Sequence, residues 1–379
     1  MKNLAGMGFS EEQNDLLDMA TRFCREKSPM EKVRSLMEDE LGHDPAVWQE
    51  LGTMGWLAIA ITEKHEGVGF SLAEVVPVVE QMGRTMLATP FISTTLAAQA
   101  IIKGGNGEQK ADILPRIAAG EAATVALIEK GGHWELTRMQ ASAHRDGEKI
   151  NLSGTKLLVC DAAAAERIVV SVALDGKPAL VIVNKDDLPP DALRREVVID
   201  ETKRSYALTL DGISVPVNCL LDPSQSIAAL AHVQLAANLL IAAEMCGATK
   251  SVIDYTVDYL NTRKQFGNLI GSYQAVKHPT VAAYVAYEKS RSHLYSAAHC
   301  FDDEEFTSQG RSEIATRMAV VQTERALSYA ADRSIQFHGG FGFTYDCDAQ
   351  LYRRRAIFNT ALIGDETYQK WKLAALMFQ

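Results

Sequence analysis

The chain has 379 residues, of which 47% are hydrophobic and 23% charged, and its formal net charge is −10. A length of this order predicts about two or three domains, and an acid excess spread along the chain argues against nucleic acid and anionic membranes as partners. We find neither a secretory signal nor an uninterrupted apolar run long enough to span a bilayer. Six cysteines without C-x-x-C spacing predict a reduced, cytoplasmic chain with no disulfide framework and no metal site.

Residues 1–120 are predicted to form a helical domain. An apolar pattern at helical spacing follows Ser10, and a second one begins at Trp48. The glycine-rich stretch 65–69 predicts a loop, and another helix is expected from Leu72.

Residues 121–222 change to strand patterns. The Asp146-Gly147 pair lies between two β-rich runs, 139–145 and 148–152, which predicts a hairpin with a type I′ turn. Further apolar, β-rich runs cover 167–174, 178–183 and 205–210. Because no long helical pattern separates these runs, we expect a mostly antiparallel sheet or barrel.

Residues 223–379 return to helical patterns. A long apolar stretch covers 227–259, a second helix is expected after Pro279, the acidic patch 302–305 predicts a turn, and a third helix covers 311–337. The predicted fold class is therefore α+β, with an N-terminal helical domain (1–120), a middle antiparallel β domain (121–222) and a C-terminal four-helix-bundle domain (223–379).

The most informative stretch is 332–344, DRSIQFHGGFGFT, in which a helical run ends at His338-Gly339-Gly340. Glycines after a helix let the backbone take positive φ and approach a ligand closely. On its own this is a helix stop, but RKQFG lies upstream at 263–267. Together the two stretches resemble the FAD-binding segments of the acyl-CoA dehydrogenase family, and some members that act on steroid side chains are similar also around Glu244. The order of helices, strands and helical bundle is that of the family.

This resemblance implies FAD as the cofactor, gripped by segments of two subunits. The guanidinium of Arg263 matches phosphate oxygens in shape and charge, although a cation at a helix end also complements the helix dipole. The residues implied as FAD contacts are Arg263, Phe266 and Gln274 on one wall, Gln336, Gly339 and Gly340 on the neighbouring subunit's wall, and Thr367, Cys160 and Ser142 near the flavin.

The family's reaction is the α,β-dehydrogenation of an acyl-CoA thioester to the trans-2-enoyl-CoA, which needs a carboxylate base. Within residues 235–248 only Asn238 and Glu244 are polar, and the helical neighbours of Glu244 cannot pair with it. Glu244 is therefore either the base, favoured by burial, or one half of an ion pair between helices. Asn238 stands where many relatives have an arginine near the thioester and CoA pocket, and it is a candidate substrate contact.

Asp365 is the second candidate base. Aligning on Thr367 puts it where many family members carry a catalytic glutamate, although an aspartate is one methylene shorter; the related nitroalkane oxidases use an aspartate here. The alternative role is the N-cap of the last helix, and the two roles are compatible. The basic triplet 353–355 is expected on a solvated or ion-paired helix face.

The resemblance also implies an electron-transfer flavoprotein as the electron acceptor and a homo-oligomer (a dimer of dimers) or a hetero-oligomer with a related subunit. Two alternatives stay open. The first alternative to an acyl-CoA dehydrogenase is a partner subunit of a heteromeric acyl-CoA dehydrogenase, without a productive site of its own. The second is a flavin oxidase or monooxygenase that uses Asp365.

Overall fold

The structure, a computed structural model, describes residues 11–131, 134–301 and 303–378. Contacts group the chain into two compact units. The first takes Met1–Val33, Leu72–Leu87 and Asn238–Gln379, and the second takes Arg34–Ser71 and Ala88–Ala237. Helices of the predicted N-terminal domain are therefore divided between both units, and the division into three domains stays a prediction.

The helices occupy the two ends of the chain, as the sequence predicts. Their bounds are α1 (Glu11–Lys27), α2 (Met30–Met37), α3 (Pro45–Thr53), α4 (Leu72–Thr85), α5 (Phe91–Gly104), α6 (Gly107–Ala118), α7 (Ser226–Leu260), α8 (Gln274–Phe301), α9 (Glu304–Ser308), α10 (Arg311–Phe337), α11 (Ala349–Ile363) and α12 (Glu366–Met377).

Two helix boundaries differ from the sequence-based expectation. Helix α8 begins at Gln274 and continues through Pro279. A proline inside a helix removes one backbone hydrogen bond, and the rest of α8 tolerates this loss. Pro279 therefore does not mark the start of the helix. The turn predicted over 302–305 is replaced by α9 from Glu304 onwards, while residue 302 and the predicted helix opener Ser10 lie outside the described residues.

Helix α7 is the one helix of the described ranges that is long and apolar enough to cross a membrane, judged by length and composition only. Its mean hydropathy reaches 1.7 in an 18-residue window, whereas no uninterrupted apolar run of that length was expected from the sequence. Of this window, 61% is buried inside the protein. A buried core helix passes the same test, so the helix is weak evidence for a membrane.

In the described part of the chain, the strands β1 to β9 lie between α6 and α7, and a small hairpin of β10 and β11 follows α7. Their bounds are β1 (Ala123–Ala126), β2 (Ser142–Asp146), β3 (Lys149–Ser153), β4 (Thr155–Cys160), β5 (Arg167–Leu174), β6 (Lys177–Asn184), β7 (Leu193–Arg195), β8 (Ser205–Thr209), β9 (Ser214–Pro216), β10 (Lys264–Gln265) and β11 (Asn268–Leu269).

The β-strands of the second unit form two sheets. A six-stranded sheet has the order β1-β5-β2-β3-β9, with β6 paired to the other edge of β5, and a three-stranded sheet has the order β4-β8-β7. The pairs β1–β5 and β2–β5 are parallel and the other pairs are antiparallel. The predicted β-rich middle region and its mostly antiparallel pairing are thus confirmed.

The predicted hairpin is present and its turn lies one residue further along than expected. Asp146 pairs with Lys149, so Gly147 and Glu148 form the turn. Gly147 takes a positive φ of 58° but Glu148 does not, so the predicted type I′ turn is wrong for this hairpin. A second two-residue hairpin connects β5 to β6, where Asp175 and Gly176 have φ values of 51° and 75°. Positive φ at both central residues is the requirement of a type I′ turn.

Helices α4 and α7 cross at backbone contact inside the first unit. A Cβ atom on Gly83 would overlap the carbonyl oxygen of Glu244, and one on Gly247 would overlap the carbonyl oxygen of Glu80. The two helices carry the same E-x-x-G pattern at this crossing, EQMG in α4 and EMCG in α7. Because the contact is to backbone, which cannot move aside as a flexible side chain does, only glycine fits at either position.

We therefore expect Gly247→Ala to lower the free energy of unfolding by about 3 kcal/mol, the upper end for an overpacked site. The check is a chemical denaturation curve. The matched control is Gly107→Ala at the start of α6, where a Cβ meets nothing within 4 Å, and this variant should keep the wild-type midpoint. Equal midpoints for both variants would show that the crossing relaxes freely.

Candidate active site

Glu244 is held in an ion pair between helices. Its Oε1 accepts a hydrogen bond of 2.9 Å from Nη1 of Arg355, and its Oε2 accepts one of 2.8 Å from Nδ2 of Asn359. The side chains of Arg355 and Glu244 are 0% and 3% exposed. The neighbours of Glu244 on its own helix cannot pair with it, but α11 supplies both partners. Of the two roles that the sequence left open, the structure shows the ion pair.

The basic triplet 353–355 divides into three different environments. Arg353 forms an ion pair of 2.8 Å with Asp332, and the guanidinium of Arg354 lies over the ring of Tyr345 at 5.1 Å. Arg355 is fully buried against Glu244. The ion-paired alternative is therefore correct for Arg353 and Arg355, and a fully solvated face is wrong.

Asp365 is the N-cap of α12, as the second reading of that residue predicted. Its Oδ1 accepts a 2.8 Å hydrogen bond from the backbone N–H of Tyr368, and its Oδ2 accepts none from the described residues. Gly364 precedes it with a φ of 94°, and a Cβ there would strike the ring of Tyr368. The cap thus leaves one carboxylate oxygen of a half-buried side chain available for chemistry.

A second carboxyl group, Glu324 of α10, lies in the electrostatic field of this cap. Burial, together with the charges of Glu366 and Asp365, raises the pKa of Glu324 to about 7. Its Oε2 is buried and has no hydrogen-bond partner in the described part of the chain. Glu366 itself has its pKa lowered to about 2, mainly by its hydrogen bond with Arg325. The cap region therefore carries one carboxyl group that titrates near neutral pH.

The two segments assigned to FAD are exposed and open. A Cβ on Gly339 or Gly340 would meet nothing within 4 Å, and Gly339 has a φ of 62°. Arg263 is exposed, and its guanidinium forms no ion pair with any residue that the structure describes. Phe266, in the turn between β10 and β11, is 92% exposed with a φ of 52°. An accessible backbone, a free guanidinium and a bare aromatic ring fit a ligand that carries both phosphate and ring systems.

The remaining residues assigned to this cofactor also lie at helix ends. Gln274 is the first residue of α8, Gln336 lies in the last turn of α10, and Thr367 lies in the first turn of α12; all three are exposed. Such exposure agrees with a site that is completed by another chain. Their roles at FAD stay a prediction.

Cys160 and Ser142 lie in different sheets of the second unit. Cys160 ends β4 in the three-stranded sheet, and Ser142 begins β2 in the six-stranded sheet. Strand β4 has an irregular register, and two residues around Cys160, Leu158 and Asp161, take positive φ values of 53° and 57°. Non-glycine residues at positive φ cost free energy and cluster at functional sites. This local strain supports Cys160 as a candidate site residue. Contact between Cys160 and a flavin stays a prediction.

Asn238 is fully buried on α7, and neither polar atom of its side chain has a hydrogen-bond partner among the residues that the structure describes. A buried amide without partners is costly. The observation is compatible with a ligand or water at this position, so the assignment of Asn238 to substrate binding stays a prediction.

A buried lysine in the β-domain was not predicted from the sequence. Lys156 is 0% exposed, and its Nζ lies 2.6 Å from Oε1 of Glu129 and 2.9 Å from Oγ of Ser171. Glu129 also accepts backbone hydrogen bonds from Gln140 and Ala141, which closes the base of the intervening loop. The register of β4 shifts between Lys156 and Val159, so strand alternation does not show which face Lys156 takes, and the sequence carried no signal for this buried charge.

The chain belongs to the acyl-CoA dehydrogenase family. Residues 10–121 match the acyl-CoA dehydrogenase N-terminal domain, and residues 236–377 match the acyl-CoA dehydrogenase C-terminal domain. The helical ends, the β-rich middle and the open glycine loop described above agree with this membership.

Among its relatives is the acyl-CoA dehydrogenase IpdE2 of Mycolicibacterium smegmatis, 27% identical over 97% of this chain and 100% of that protein. A solved structure described as the Tcur3481-Tcur3483 steroid ACAD is 27% identical, has a TM-score of 0.85 and covers 97% of this chain and 98% of its own. An acyl-CoA dehydrogenase complexed with FAD from Bacillus anthracis has a TM-score of 0.87 at 20% identity, covering 98% of this chain and 67% of its own.

Glu324 generates a pH-dependent prediction for stability. Its carboxyl group ionises near pH 4.5 in the unfolded chain and near pH 7 in the folded one, so the stability it supports below pH 4.5 is lost as the pH rises towards 7. We expect Glu324→Gln to raise Tm relative to wild type at pH 8 and to leave it unchanged at pH 4. Melting curves across this pH range make the test, with the exposed Glu148→Gln as control. A difference that does not grow with pH contradicts the prediction.

Proposed function

We propose that this chain is an FAD-dependent acyl-CoA dehydrogenase that converts an acyl-CoA thioester to the trans-2-enoyl-CoA. The observation that carries the proposal is the open backbone at Gly339 and Gly340 in a chain of this family. An unobstructed glycine turn lets the backbone and a bulky cofactor approach each other closely, because no side chain stands between them.

Several residues of this chain are proposed to hold the cofactor. Arg263 pairs with the FAD pyrophosphate, Phe266 and Gln274 contact the adenosine half, and Gln336 with the glycine loop reaches the FAD of a neighbouring subunit. FAD, when bound, accepts the β-hydrogen of the substrate as a hydride. The chain's own task is to orient the acyl group, exclude water and accept the α-proton.

Asp365 is the proton acceptor in this proposal. It is half-buried at the start of α12, one of its oxygens anchors the helix, and the other is not occupied by any described donor. A carboxylate whose position is set by a cap and a preceding glycine is pre-organised, which general base catalysis requires. Its shorter side chain demands that the acyl α-carbon come closer than a glutamate would need.

Glu244 is less suited to this task than the sequence indicated. Both of its oxygens are occupied by donors from α11, and the residue is 2% exposed. Accepting a proton there would leave the guanidinium of Arg355 buried without its counter-charge, which is costly. We therefore propose that Glu244 acts in packing and that Asp365 acts in chemistry.

A second candidate function is a partner subunit in a heteromeric acyl-CoA dehydrogenase. The observation in its favour is that Glu244 is committed to an ion pair, which leaves only an aspartate at the position of a longer carboxylate. The name of the similar Tcur3481-Tcur3483 steroid enzyme joins two proteins. An electron-transfer flavoprotein as acceptor, a dimer of dimers and a cytoplasmic location remain parts of the proposal.

The proposed base is tested by a pair of variants in one assay. Asp365→Asn should abolish flavin reduction by an acyl-CoA substrate while FAD remains bound, because the base is lost and the cap is largely kept. Glu244→Gln should lower the free energy of unfolding by about 3 kcal/mol, since it leaves Arg355 buried without a charge partner. Anaerobic flavin bleaching and denaturation curves give the two measurements.

Reversed results identify Glu244 as the base. If neither variant changes reduction, another residue is the base. If the wild-type chain binds FAD but no acyl-CoA reduces it, the partner-subunit function replaces the enzyme function for this chain alone. Adding the related subunit should then restore reduction.

The role of the glycine loop in FAD binding is tested by placing side chains of increasing size at Gly340. Gly340→Ala and Gly340→Val have room in the isolated chain, because no atom lies within 4 Å of the added Cβ. We expect the folded chain to keep its Tm without FAD, while FAD occupancy falls progressively from Gly to Ala to Val and oligomer formation weakens. Flavin absorbance per chain and size-exclusion chromatography give the readout. Full occupancy in Gly340→Val would exclude the loop from the cofactor site.

A further inference from the structure

The ring of His338 is clamped between two tyrosines of α7. Its centroid lies 4.8 Å from the ring of Tyr255 and 4.1 Å from the ring of Tyr259, with interplanar angles of 15° and 23°. Tyr255 and Tyr259 are four residues apart, so they lie on one face of the helix. The imidazole is 4% exposed and fills the space between both rings.

A hydrogen bond fixes how the imidazole is turned. Nδ1 of His338 lies 2.8 Å from the carbonyl oxygen of Ser334. Because a carbonyl can only accept, Nδ1 carries the proton. The helix beneath is joined to α7 by a second bond, in which Oγ1 of Thr256 donates to Oγ of Ser334 at 2.7 Å.

The clamp connects the two segments assigned to FAD. On one side, the carbonyl of Tyr259 accepts the backbone N–H of Arg263, so the clamped turn of α7 leads directly to that guanidinium. On the other side, His338 immediately precedes Gly339, whose positive φ starts the glycine loop. The ring of Phe341, beyond both glycines, lies 6.3 Å from the imidazole. The Arg263 segment and the glycine loop are therefore both attached next to the stacked rings of Tyr255, His338 and Tyr259.

We propose that His338 is a positioning residue for FAD, which holds the end of α7 and the glycine loop at a fixed separation. The inference rests on the proposed function, in which one chain contributes the Arg263 segment to one FAD and the glycine loop to another. His338 touches neither cofactor in this scheme and acts through the backbone of Arg263 and Gly339.

The size of the effect follows from the two ring contacts. Stacked aromatic pairs contribute beyond their buried area, and removing both on truncation to alanine should weaken FAD binding about tenfold. A phenylalanine keeps the stack and loses only the Nδ1 hydrogen bond, so it should restore FAD affinity to within about twofold of wild type.

The experiment titrates FAD into apo-protein and follows flavin fluorescence for His338→Ala, His338→Phe and the exposed control His299→Ala. The expected order of affinity is wild type, control and His338→Phe together, with His338→Ala about tenfold weaker. Circular dichroism of each apo-protein at the titration temperature reports folding separately. If His338→Ala does not fold, Tyr259→Leu and Tyr259→Phe repeat the comparison from the other side of the stack.

Two results overturn the inference: wild-type affinity in the folded His338→Ala or Tyr259→Leu chain, or a phenylalanine variant as weak as the truncated one. These are distinguishable from failure of the proposed function, in which the wild-type oligomer itself binds no FAD.

Discussion

The first unit depends on a backbone contact between α4 and α7, made possible by Gly83 and Gly247. Each glycine faces the carbonyl oxygen of a glutamate on the opposite helix, Glu244 for Gly83 and Glu80 for Gly247. At such a short separation no side chain fits between the helices, so their crossing is set by two missing Cβ atoms. The positions of both buried glutamates follow from this crossing.

Each of these glutamates draws in another helix through a buried arginine. Glu80 accepts a 3.0 Å hydrogen bond from Arg291 of α8 and one of 2.5 Å from Tyr295, and Glu244 accepts from Arg355 of α11. Buried ion pairs add little net stability, but losing one partner is severely destabilising. We infer that the Glu80–Arg291 and Glu244–Arg355 ion pairs determine which helices pack against α4 and α7. Helix α8 begins at Gln274, so the selection also bears on the proposed cofactor site.

The site was predictable where local chemistry decides it and not where distant residues do. The glycine loop, the exposed Arg263 and the cap at Asp365 follow from short stretches, and the structure has these features where the sequence places them. The pairing of Glu244 depends on α11, more than 100 residues away, so the helical neighbours of Glu244 carry no sign of it. The Lys156–Glu129 pair escaped for the same reason, because each partner alone is an ordinary charged residue.

The sequence by itself determined the α+β class, the positions of α7 and α10, the presence of the hairpin and the family, because periodicity, turn residues and motifs are properties of neighbours along the chain. Only the tertiary structure decided that Glu244 is an ion-pair partner, that Arg355 is buried, and that His338 is stacked between Tyr255 and Tyr259. Those outcomes depend on which helices pack against each other. Packing brings together residues that are far apart along the chain, and the local sequence around each residue does not show which distant residue it will contact.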